Sequence, residues 1–557
     1  MTEKLTKTLD RLSSRKAIKY GVYASAVIVF FALVLVPPIA GIFIKWGDIQ
    51  YILAQPPLVS RALSAVQNSF VLALIVAAFD LIAGIPMAWL IARGKSRWLS
   101  AIDTLADIPF IIPTTALGFS LLLFWNGSGN VSSFFGPSLI SPGWLLVMLL
   151  HFTFSFPVVV RVLVGALMDY KVEYERASRT LGAPPFTAMR TVTFPVLRPA
   201  MISAFILAFA RSISETGATI VVAGVFGQGG FENGSVFIQH MKDAYSTAEP
   251  ALYNGTIVFA SFFLIIFSIT IFIAIRLLGP KLKLPLRKVR PVTERKLSYK
   301  KAEKSRNTLV LAVFFVLILL PSLYVALTAF QAIPTPTFTN ALTGKGIWST
   351  YWQSLLISYG LGAIVTVINI IIGLPTAIII ARKKAGKFMA TIFDLLVNVP
   401  LVVPSIALGV SLAIFWKANF ATLPDFALLV LAHLAITYPY FVRSMSAAVE
   451  RISPDMEEAS RTLGAKPLGV FRTIVFPLTK YSMLSGAIMV FTRSVSETGA
   501  TLAVTSKIQT SPVLLVNWIK QVVPASSLDI ALASGFLVLF SFIILLALRL
   551  VVGREEK

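Results

Sequence analysis

The chain contains no cysteine, only three histidines and few charged residues. Without cysteine it can form neither a disulfide bond nor a thiolate metal site, so any bound metal would need oxygen or imidazole ligands. Charged residues make up 13% of the 557 positions, whereas soluble domains carry about 25%. Hydrophobic residues reach 56%. This composition excludes an ordinary soluble domain and indicates that the chain is surrounded by the lipid bilayer.

Apolar segments long enough to cross a membrane recur along the whole sequence. A hydrocarbon core about 30 Å thick needs roughly 20 apolar residues per helical span. We therefore predict an all-α integral membrane protein of the cell membrane, with about twelve transmembrane helices. The predicted spans are 20–44, 66–92, 101–125, 143–168, 200–225, 255–278, 308–330, 354–381, 392–416, 426–448, 483–505 and 530–551. The first lacks a small-residue cleavage pattern, so we interpret it as a retained helix.

Basic residues predict the orientation of the chain. They are dense in 4–19 and again in 281–306, so these segments and both termini are expected to be cytoplasmic. The segment 126–142, predicted to lie outside, has no Lys or Arg, and 226–254 has only Lys242. The formal net charge of +24 is therefore a signal of topology. It fits contact with anionic lipid headgroups better than contact with nucleic acid.

An internal repeat covers nearly the whole chain. The segment ERASRTLGAPPFTAMRTVTFPVLRPA from Glu175 recurs as EEASRTLGAKPLGVFRTIVFPLTKYS from Glu457, an offset of 282 residues. RSISETGAT at Arg211 recurs as RSVSETGAT at Arg493 with the same offset. Six spans return each half to its starting side, so we expect two tandem six-helix repeats around a pseudo-two-fold axis along the membrane normal. The predicted domains are 1–280 and 307–557, joined by a basic cytoplasmic linker, 281–306.

Each repeat carries a polar, helix-forming stretch between its fourth and fifth spans. In the first half this stretch contains Glu175 and leads into Leu181 and Gly182, after which an amphipathic segment runs to Pro195. The pattern predicts a short helix, a glycine turn and a second helix. Such an element alone could lie on lipid headgroups. Its duplication, with the glycine and the proline both kept in place, favours docking to another protein.

The duplicated loop resembles the Glu-Ala-Ala motif of ABC importer permeases, in which a glycine and then a hydrophobic residue close to proline follow the motif. The resemblance covers essentially the whole chain and implies two permease domains of the binding-protein-dependent type, fused in one polypeptide. In that family these loops are coupling helices that dock into the ATPase subunits. The residues that carry it are Glu457, Glu458, Ala459, Gly464, Ile474 and Pro477 in the second half, and Glu175, Ala177, Gly182, Val192 and Pro195 in the first. Arg176 departs from the pattern, because it occupies the usual glutamate position.

The chain has no nucleotide-binding motif of its own. A P-loop needs G-x-x-x-x-G-K-[ST], and the nearest match, at Gly94-Lys95-Ser96, has Trp89 in place of the first glycine. We therefore expect no catalytic residues and no bound cofactor, with ATP and magnesium on two partner ATPase subunits. The resemblance also implies an extracellular or periplasmic substrate-binding protein as a partner.

The paired SETGAT segments, predicted in spans five and eleven, are the candidate translocation path or gate. Their polar members are Arg211, Glu215, Thr216, Thr219, Arg493, Glu497, Thr498 and Thr501. One interpretation is structural, because each arginine stands four residues before a glutamate and could form a salt bridge along one helix face. The other is functional, because charged residues inside a span usually face a cavity or the bundle interior. Both readings stay open from the sequence.

Paired prolines and histidines also follow the repeat. Pro109 and Pro113 in span three, like Pro400 and Pro404 in span nine, remove helical hydrogen bonds and predict kinks. The remaining symmetric pair is His151 and His433. Two isolated histidines are more often packed or hydrogen-bonded than metal ligands, so we predict no metal site.

The sequence constrains the substrate weakly. Fused permeases of this size resemble those of ferric-iron, thiamine and aminoethylphosphonate systems, whereas SETGAT is similar to a motif of molybdate, tungstate and sulfate permeases. A ferric complex would suit the two SETGAT glutamates, and an oxyanion would suit Arg211 and Arg493. A secondary transporter of the major-facilitator type also has twelve spans in two parallel halves, and a membrane-embedded enzyme is a third class. The duplicated cytoplasmic motif disfavours the former, and the lack of a catalytic cluster disfavours the latter.

Overall fold

The computed structural model describes residues 10, 13–94, 97–126, 143–224, 231–281, 291–384 and 386–553. Across these ranges the regular secondary structure is helical. Ten helices there are long and apolar enough to cross a membrane, and two further pairs of helices pass the same test although each pair is bent by 104° at a short break. With each bent pair taken as one span, the predicted all-α architecture of two six-span halves is confirmed.

We number the spans α1 to α12 in chain order. In the first half they are Tyr20–Ile44, Pro56–Arg93, the bent pair Ala101–Phe110 and Thr114–Asn126, Trp144–Asp169, Pro185–Ser214 and Pro250–Leu278. In the second half they are Lys300–Ala332, Ile347–Ala381, the bent pair Lys387–Val402 and Ser405–Asn419, Asp425–Glu450, Pro467–Val495 and Ser527–Ala547. Shorter helices are Trp46–Asp48, Ile49–Leu53, Val172–Thr180, Gly217–Gly224, Gly234–Tyr245, Pro291–Leu297, Pro336–Thr343, Pro454–Thr462, Gly499–Val504 and Ser511–Ile519.

The expectation of continuous spans at 101–125 and 392–416 was wrong, because α3 and α9 are broken at their second prolines. Ile112 and Val403, the residues before Pro113 and Pro404, have extended backbone with ψ of 127° and 134°. Proline disfavours the helical conformation of the residue before it and offers no N–H to the preceding turn. The predicted proline kinks are therefore present, as full breaks.

The expectation that spans five and eleven run through SETGAT was also wrong. The helix α5 ends at Ser214 and α11 ends at Val495, and a new short helix begins at Gly217 or Gly499. Glu215 is extended, with ψ of 128°. Ser, Thr and Glu side chains offer the backbone alternative hydrogen bonds, and this competition interrupts a helix.

The first span of each half packs on the third span of the other half. In α9, the Ser411 hydroxyl donates to the Pro37 carbonyl of α1 at 3.3 Å. The pseudo-symmetric contact joins the Ser120 hydroxyl of α3 to the Pro321 carbonyl of α7 at 2.6 Å. The two halves are therefore interlocked through exchanged first spans. Parts of all four segments used to predict orientation lie outside the described residues, namely 1–9, 11–12, 127–142, 226–230 and 282–290.

Candidate coupling loops and translocation site

The two cytoplasmic loops predicted from the repeat have the same backbone. Each consists of a short helix, Val172–Thr180 or Pro454–Thr462, and a glycine with positive φ, +90° at Gly182 and +88° at Gly464. The Gly182 amide donates to the Arg179 carbonyl at 3.0 Å, and the Gly464 amide donates to Arg461 at 2.9 Å. This is a left-handed helix termination that favours glycine. The predicted glycine turns are confirmed.

The tip of each loop presents an uncovered leucine. Leu181 is 90% exposed and Leu463 is 89% exposed. Ala177 and Ala459 are also exposed, as are Arg176 and Glu458 at the motif's charged position. Leucine side chains this exposed, at the same place in both loops, have little apolar contact with the described part of the chain. Both are therefore accessible to another protein.

The second loop is anchored to its own half by a buried ion pair. Glu457 lies 2.7 Å from the Arg382 guanidinium at the end of α8 and 3.2 Å from Arg461. The Glu457 and Arg382 side chains are 11% and 9% exposed. Glu457, predicted among the coupling residues, therefore points into the protein, and it is Glu458 that faces outward. The sequence analysis missed Arg382, which has no motif of its own.

The first loop lacks that ion pair. Arg93, at the matching end of α2, lies over the rings of Trp89 and Tyr170 at 5.7 and 5.6 Å. In the described part of the chain, no cation lies within ion-pair distance of Glu175. Its nearest polar contact is the Thr193 hydroxyl at 3.5 Å. Arg93 therefore makes cation–π contacts where Arg382 of the second half makes an ion pair with its loop.

The first loop is held instead by the supposed linker. The helix Pro291–Leu297 places Glu294 2.7 Å from the Arg190 guanidinium, and the Thr187 hydroxyl donates to Glu294 at 2.6 Å. The Phe186 amide donates to the Ser298 hydroxyl at 3.1 Å. Residues 291–298, which we call the clasp, are therefore packed against the first loop. The helix α7 already begins at Lys300.

A hydrogen bond like that between Phe186 and Ser298 also joins the second loop to the segment before α1. There the Leu468 amide donates to the Ser13 hydroxyl at 3.3 Å, at the position matching Phe186. Ser13 precedes α1 of the first half, whereas Ser298 precedes α7 of the second. Each loop is therefore held by the segment that leads into the opposite half. Neither of these contacts was predicted, because their residues carry no pattern by themselves.

We call the interruptions between Ser214 and Gly217 and between Val495 and Gly499 the SETGAT breaks. At each of them the glutamate contacts both flanking helices. The predicted salt bridges are present, with 3.6 Å between Arg211 and Glu215 and 2.5 Å between Arg493 and Glu497. The other oxygen of each carboxylate accepts the amide of Ala218 at 3.1 Å or of Ala500 at 3.0 Å. The arginine at the end of the long helix is thereby linked to the start of the short one.

His151 and His433 fasten the same breaks. The two ring nitrogens of His151 lie 2.9 Å from the hydroxyls of Ser212, before the break, and Thr219, after it. His433 makes the same pair of contacts with Ser494 and Thr501, both at 2.9 Å. Both rings are buried and hydrogen-bonded, as the sequence analysis favoured. Their partners in SETGAT were not foreseen.

The two breaks meet at the interface between the halves. The Ser405 hydroxyl donates to Thr216 at 3.3 Å across that interface. A Cβ atom on Gly217 would lie 2.5 Å from the Thr498 hydroxyl, and one on Gly499 would lie 2.7 Å from the Thr216 Cβ. No other residue type permits so close an approach. The paired breaks therefore close the centre of the molecule.

A cavity lies beside this closure, on the side of the breaks toward the two loops. Its empty volume, including the part open to solvent, is about 540 Å³. Residues of both halves line it, among them Arg211, Pro113, Tyr440, Thr492, Arg493 and Ser496. Of the predicted path residues, the two arginines reach this cavity. The paired threonines lie in the closure itself.

The face opposite the loops carries its own charge cluster. The half-buried Lys242 donates to the Leu502 carbonyl of the other half. Burial lowers the pKa of Lys242, and the nearby Lys417 and Lys520 lower it further while Asp243 opposes them. Burial alone would raise the pKa of Glu232, but hydrogen bonds from His240 and Arg61 outweigh it and hold that pKa below its usual value.

The family profile described as "Binding-protein-dependent transport system inner membrane component" matches the chain twice, over residues 80–284 and 373–554. Several transport system permease proteins are similar to part of the chain. The sulfate transport system permease protein CysT of Salmonella typhimurium is 30% identical over 209 residues, which is 35% of this chain and 72% of that protein. CysT of Escherichia coli is 29% identical over the same shares of both chains. The molybdenum transport system permease protein ModB of Mycobacterium tuberculosis is 35% identical over 143 residues, 25% of this chain and 54% of that protein.

The two profile matches fall one in each six-span half, and each includes one of the duplicated loops and one SETGAT break. The chain therefore belongs to the family of binding-protein-dependent transport system inner membrane components, the permeases of ABC importers, and carries the family's domain twice in one polypeptide.

Proposed function

We propose that this fused permease imports a small oxyanion, delivered by an external binding protein and driven by two ATPase subunits docked on the loops around Gly182 and Gly464. The observation that carries the docking is the duplicated loop, with Leu181 and Leu463 both about nine-tenths exposed at its tips. The loops and both termini would face the cytoplasm, as the basic flanks indicate.

The substrate class is supported by the relatives and by the central cavity. The relatives above are named as sulfate and molybdenum permeases. The cavity is lined by Arg211 and Arg493, whose carboxylate partners Glu215 and Glu497 are turned toward the short helices. Guanidinium forks match the oxygens of sulfate-like anions. A cationic lining suits an oxyanion better than the ferric ion that the sequence left open.

The transport cycle follows from the interlocked halves. Closure of the ATPases would draw the two loops together, and each loop is fixed by hydrogen bonds to the segment leading into the opposite half. Movement of the loops would therefore turn the halves against each other and separate the paired breaks at Gly217 and Gly499. The anion then enters from the binding protein and leaves through the cavity when the loops part.

The test is ATP-driven uptake in proteoliposomes containing the chain with the ATPase and the binding protein that copurify with it from its native membrane. We expect uptake of radiolabelled sulfate or molybdate that requires ATP and the binding protein. Uptake driven by an ion gradient without ATP would establish the secondary-transporter alternative instead.

A loop variant separates docking from folding. Leu181→Asp with Leu463→Asp should leave the chain inserted but abolish binding of the ATPase, because a carboxylate cannot enter an apolar pocket. The matched control, Leu181→Met with Leu463→Met, should keep both binding and uptake. Normal ATPase binding by the aspartate variant would refute the docking role of the tips.

A further inference from the structure

We infer that the cavity holds one anion at a time, bound by the Arg211 guanidinium, and that Arg493 serves as a fixed part of the closure. This inference rests on the proposed function and assigns the anion to one of two arginines that the repeat makes equivalent. The structure distinguishes them by two features, namely the length of the ion pair and the neighbouring side chain.

Arg493 is held closely by its glutamate. Its guanidinium lies 2.5 Å from Glu497, and both side chains are at least nine-tenths buried. Tyr440 lines the cavity together with Arg493. A buried, charge-assisted contact of this length neutralises the arginine and fixes its orientation. Removing Arg493 would leave Glu497 as an uncompensated buried charge at the break.

Arg211 is held much more loosely. Its distance to Glu215 is 3.6 Å, beyond hydrogen-bond range, and its side chain is 11% exposed. The buried Nε and Nη1 atoms have no hydrogen-bond acceptor in the described part of the chain. The guanidinium rests over the Phe154 ring at 5.1 Å. Unpaired buried donors are costly, so this guanidinium is set up to receive an acceptor.

The difference arises from two substitutions between the halves. At the repeat offset, Tyr440 of the second half corresponds to Val158 of the first, and Phe154 of the first corresponds to Ile436. Tyr440 places a hydroxyl group in the cavity lining near Arg493, whereas Val158 offers none to Arg211. Phe154 lies under the Arg211 guanidinium at 5.1 Å, and Arg211 is itself part of the cavity lining.

The chemistry of the site fits a sulfate-like oxyanion. Adjacent N–H groups of a guanidinium bind two oxygens of one such anion side by side. Tyr440 lines the same cavity, so its hydroxyl can donate its hydrogen to a third oxygen. Glu215 remains close to Arg211 and limits the affinity. A site on a transport path needs this balance, because the ion must also leave.

The natural absence of cysteine provides a clean test. Thr492→Cys places a single thiol in the cavity lining beside both arginines. The rate at which a water-soluble thiol reagent modifies it is measured on the full chain, with sodium sulfate or sodium molybdate against sodium chloride of equal ionic strength. We expect either oxyanion to slow modification at least fivefold.

Two double variants, each replacing one arginine and its glutamate with glutamine, then test which arginine binds the anion. With Arg211→Gln and Glu215→Gln the protection should disappear, whereas with Arg493→Gln and Glu497→Gln it should persist. Each variant removes a cation and an anion together, so the net charge of the cavity region is kept. Native-like thermal unfolding of each variant confirms that it is folded. Where one does not fold, Arg211→Lys serves, because a lysine keeps the charge but not the fork and should reduce the protection.

Other results overturn the inference in distinguishable ways. Equal loss of protection in both double variants would show a symmetric site. Protection that survives without Arg211 would remove the anion from this residue, although ATP-driven sulfate uptake would still support the proposed function. Absence of any protection, together with absence of uptake, would refute the oxyanion assignment itself.

Discussion

The two duplicated loops, around Gly182 and Gly464, have the same backbone but different anchors. The turns at Gly182 and Gly464 agree in φ to within 2°, and the hydrogen bonds that close them are matched. Yet the second loop is held by Glu457 and Arg382 within one half, whereas the first is held by Arg190 and the clasp residue Glu294. Each loop therefore keeps one buried ion pair, placed on different partners. The shape needed by a docking partner is duplicated, while its internal support has diverged.

The same contrast occurs at a buried polar pair in the second span of each half. Asn369 donates to the Thr437 hydroxyl at 2.9 Å, and that hydroxyl donates to the His433 carbonyl at 2.6 Å. In the first half, Asp80 contacts the Ser155 hydroxyl, which lies 2.6 Å from the His151 carbonyl. A serine hydroxyl has one hydrogen and the carbonyl can only accept. We therefore predict that Asp80 carries a proton and donates it to Ser155, as the Asn369 amide donates to Thr437.

The largest expected effect tests the anchors of the loops. Glu457→Gln should lower the free energy of unfolding by about 3–5 kcal/mol, because it leaves Arg382 buried without its anion. Glu175→Gln, the matched change in the first loop, should cost less than about 1 kcal/mol. Denaturant titration in mixed micelles measures both. Equal losses would show that the anchors are alike.

The clasp should give a smaller loss in the first loop. Glu294→Gln keeps the hydrogen bond from Thr187 but removes the charge beside Arg190, so we expect a cost of about 2–3 kcal/mol. Because the clasp joins the first loop to α7, this variant should also hydrolyse more ATP per anion imported. In the described residues the second loop is joined to the segment before α1 by the Ser13 hydroxyl, with no charge involved. Ser13→Ala is therefore the matched control and should leave that ratio within twofold. An unchanged ratio in Glu294→Gln would make the clasp purely structural.

The two buried polar pairs predict that exchanging aspartate and asparagine has unequal effects in the two halves. Asp80→Asn should change the free energy of unfolding by less than about 1 kcal/mol, because the amide repeats the donor already present. Asn369→Asp should cost about 1–3 kcal/mol, because a carboxylic acid has one hydrogen for the two acceptors that the Asn369 amide now serves. An ionised Asp80, detected as the absence of a protonated-carboxyl infrared band lost in Asp80→Asn, would contradict the prediction.

The smallest expected difference between the halves is at the two glycine turns. Gly182→Ala and Gly464→Ala should each cost about 1–2 kcal/mol, because both place a Cβ atom on left-handed backbone and no neighbouring atom intervenes. The two costs should match within experimental error in the same denaturant titration. A large difference would show that the equal φ angles conceal different local packing.

The features that depend on near neighbours in the chain were predictable from the sequence. Spans, the glycine turns of the loops and the salt bridges from Arg211 and Arg493 all rest on periodicity or on a spacing of four residues. The helix breaks at SETGAT were missed, because an apolar run interrupted by Ser, Glu and Thr is still compatible with a continuous span. The histidine at each break carried no signal beyond its symmetry.

The sequence by itself determined the fold class, the duplication and the family to which the chain belongs. Only the tertiary structure decided which buried charges meet, since Arg382 and Glu457 are 75 residues apart and Thr187 and Glu294 are 107 apart. It also decided that Arg493 lies 2.5 Å from its glutamate while Arg211 lies 3.6 Å from its own. The physical reason is that the strength of a buried ion pair depends on distance and desolvation, and packing between distant segments sets both.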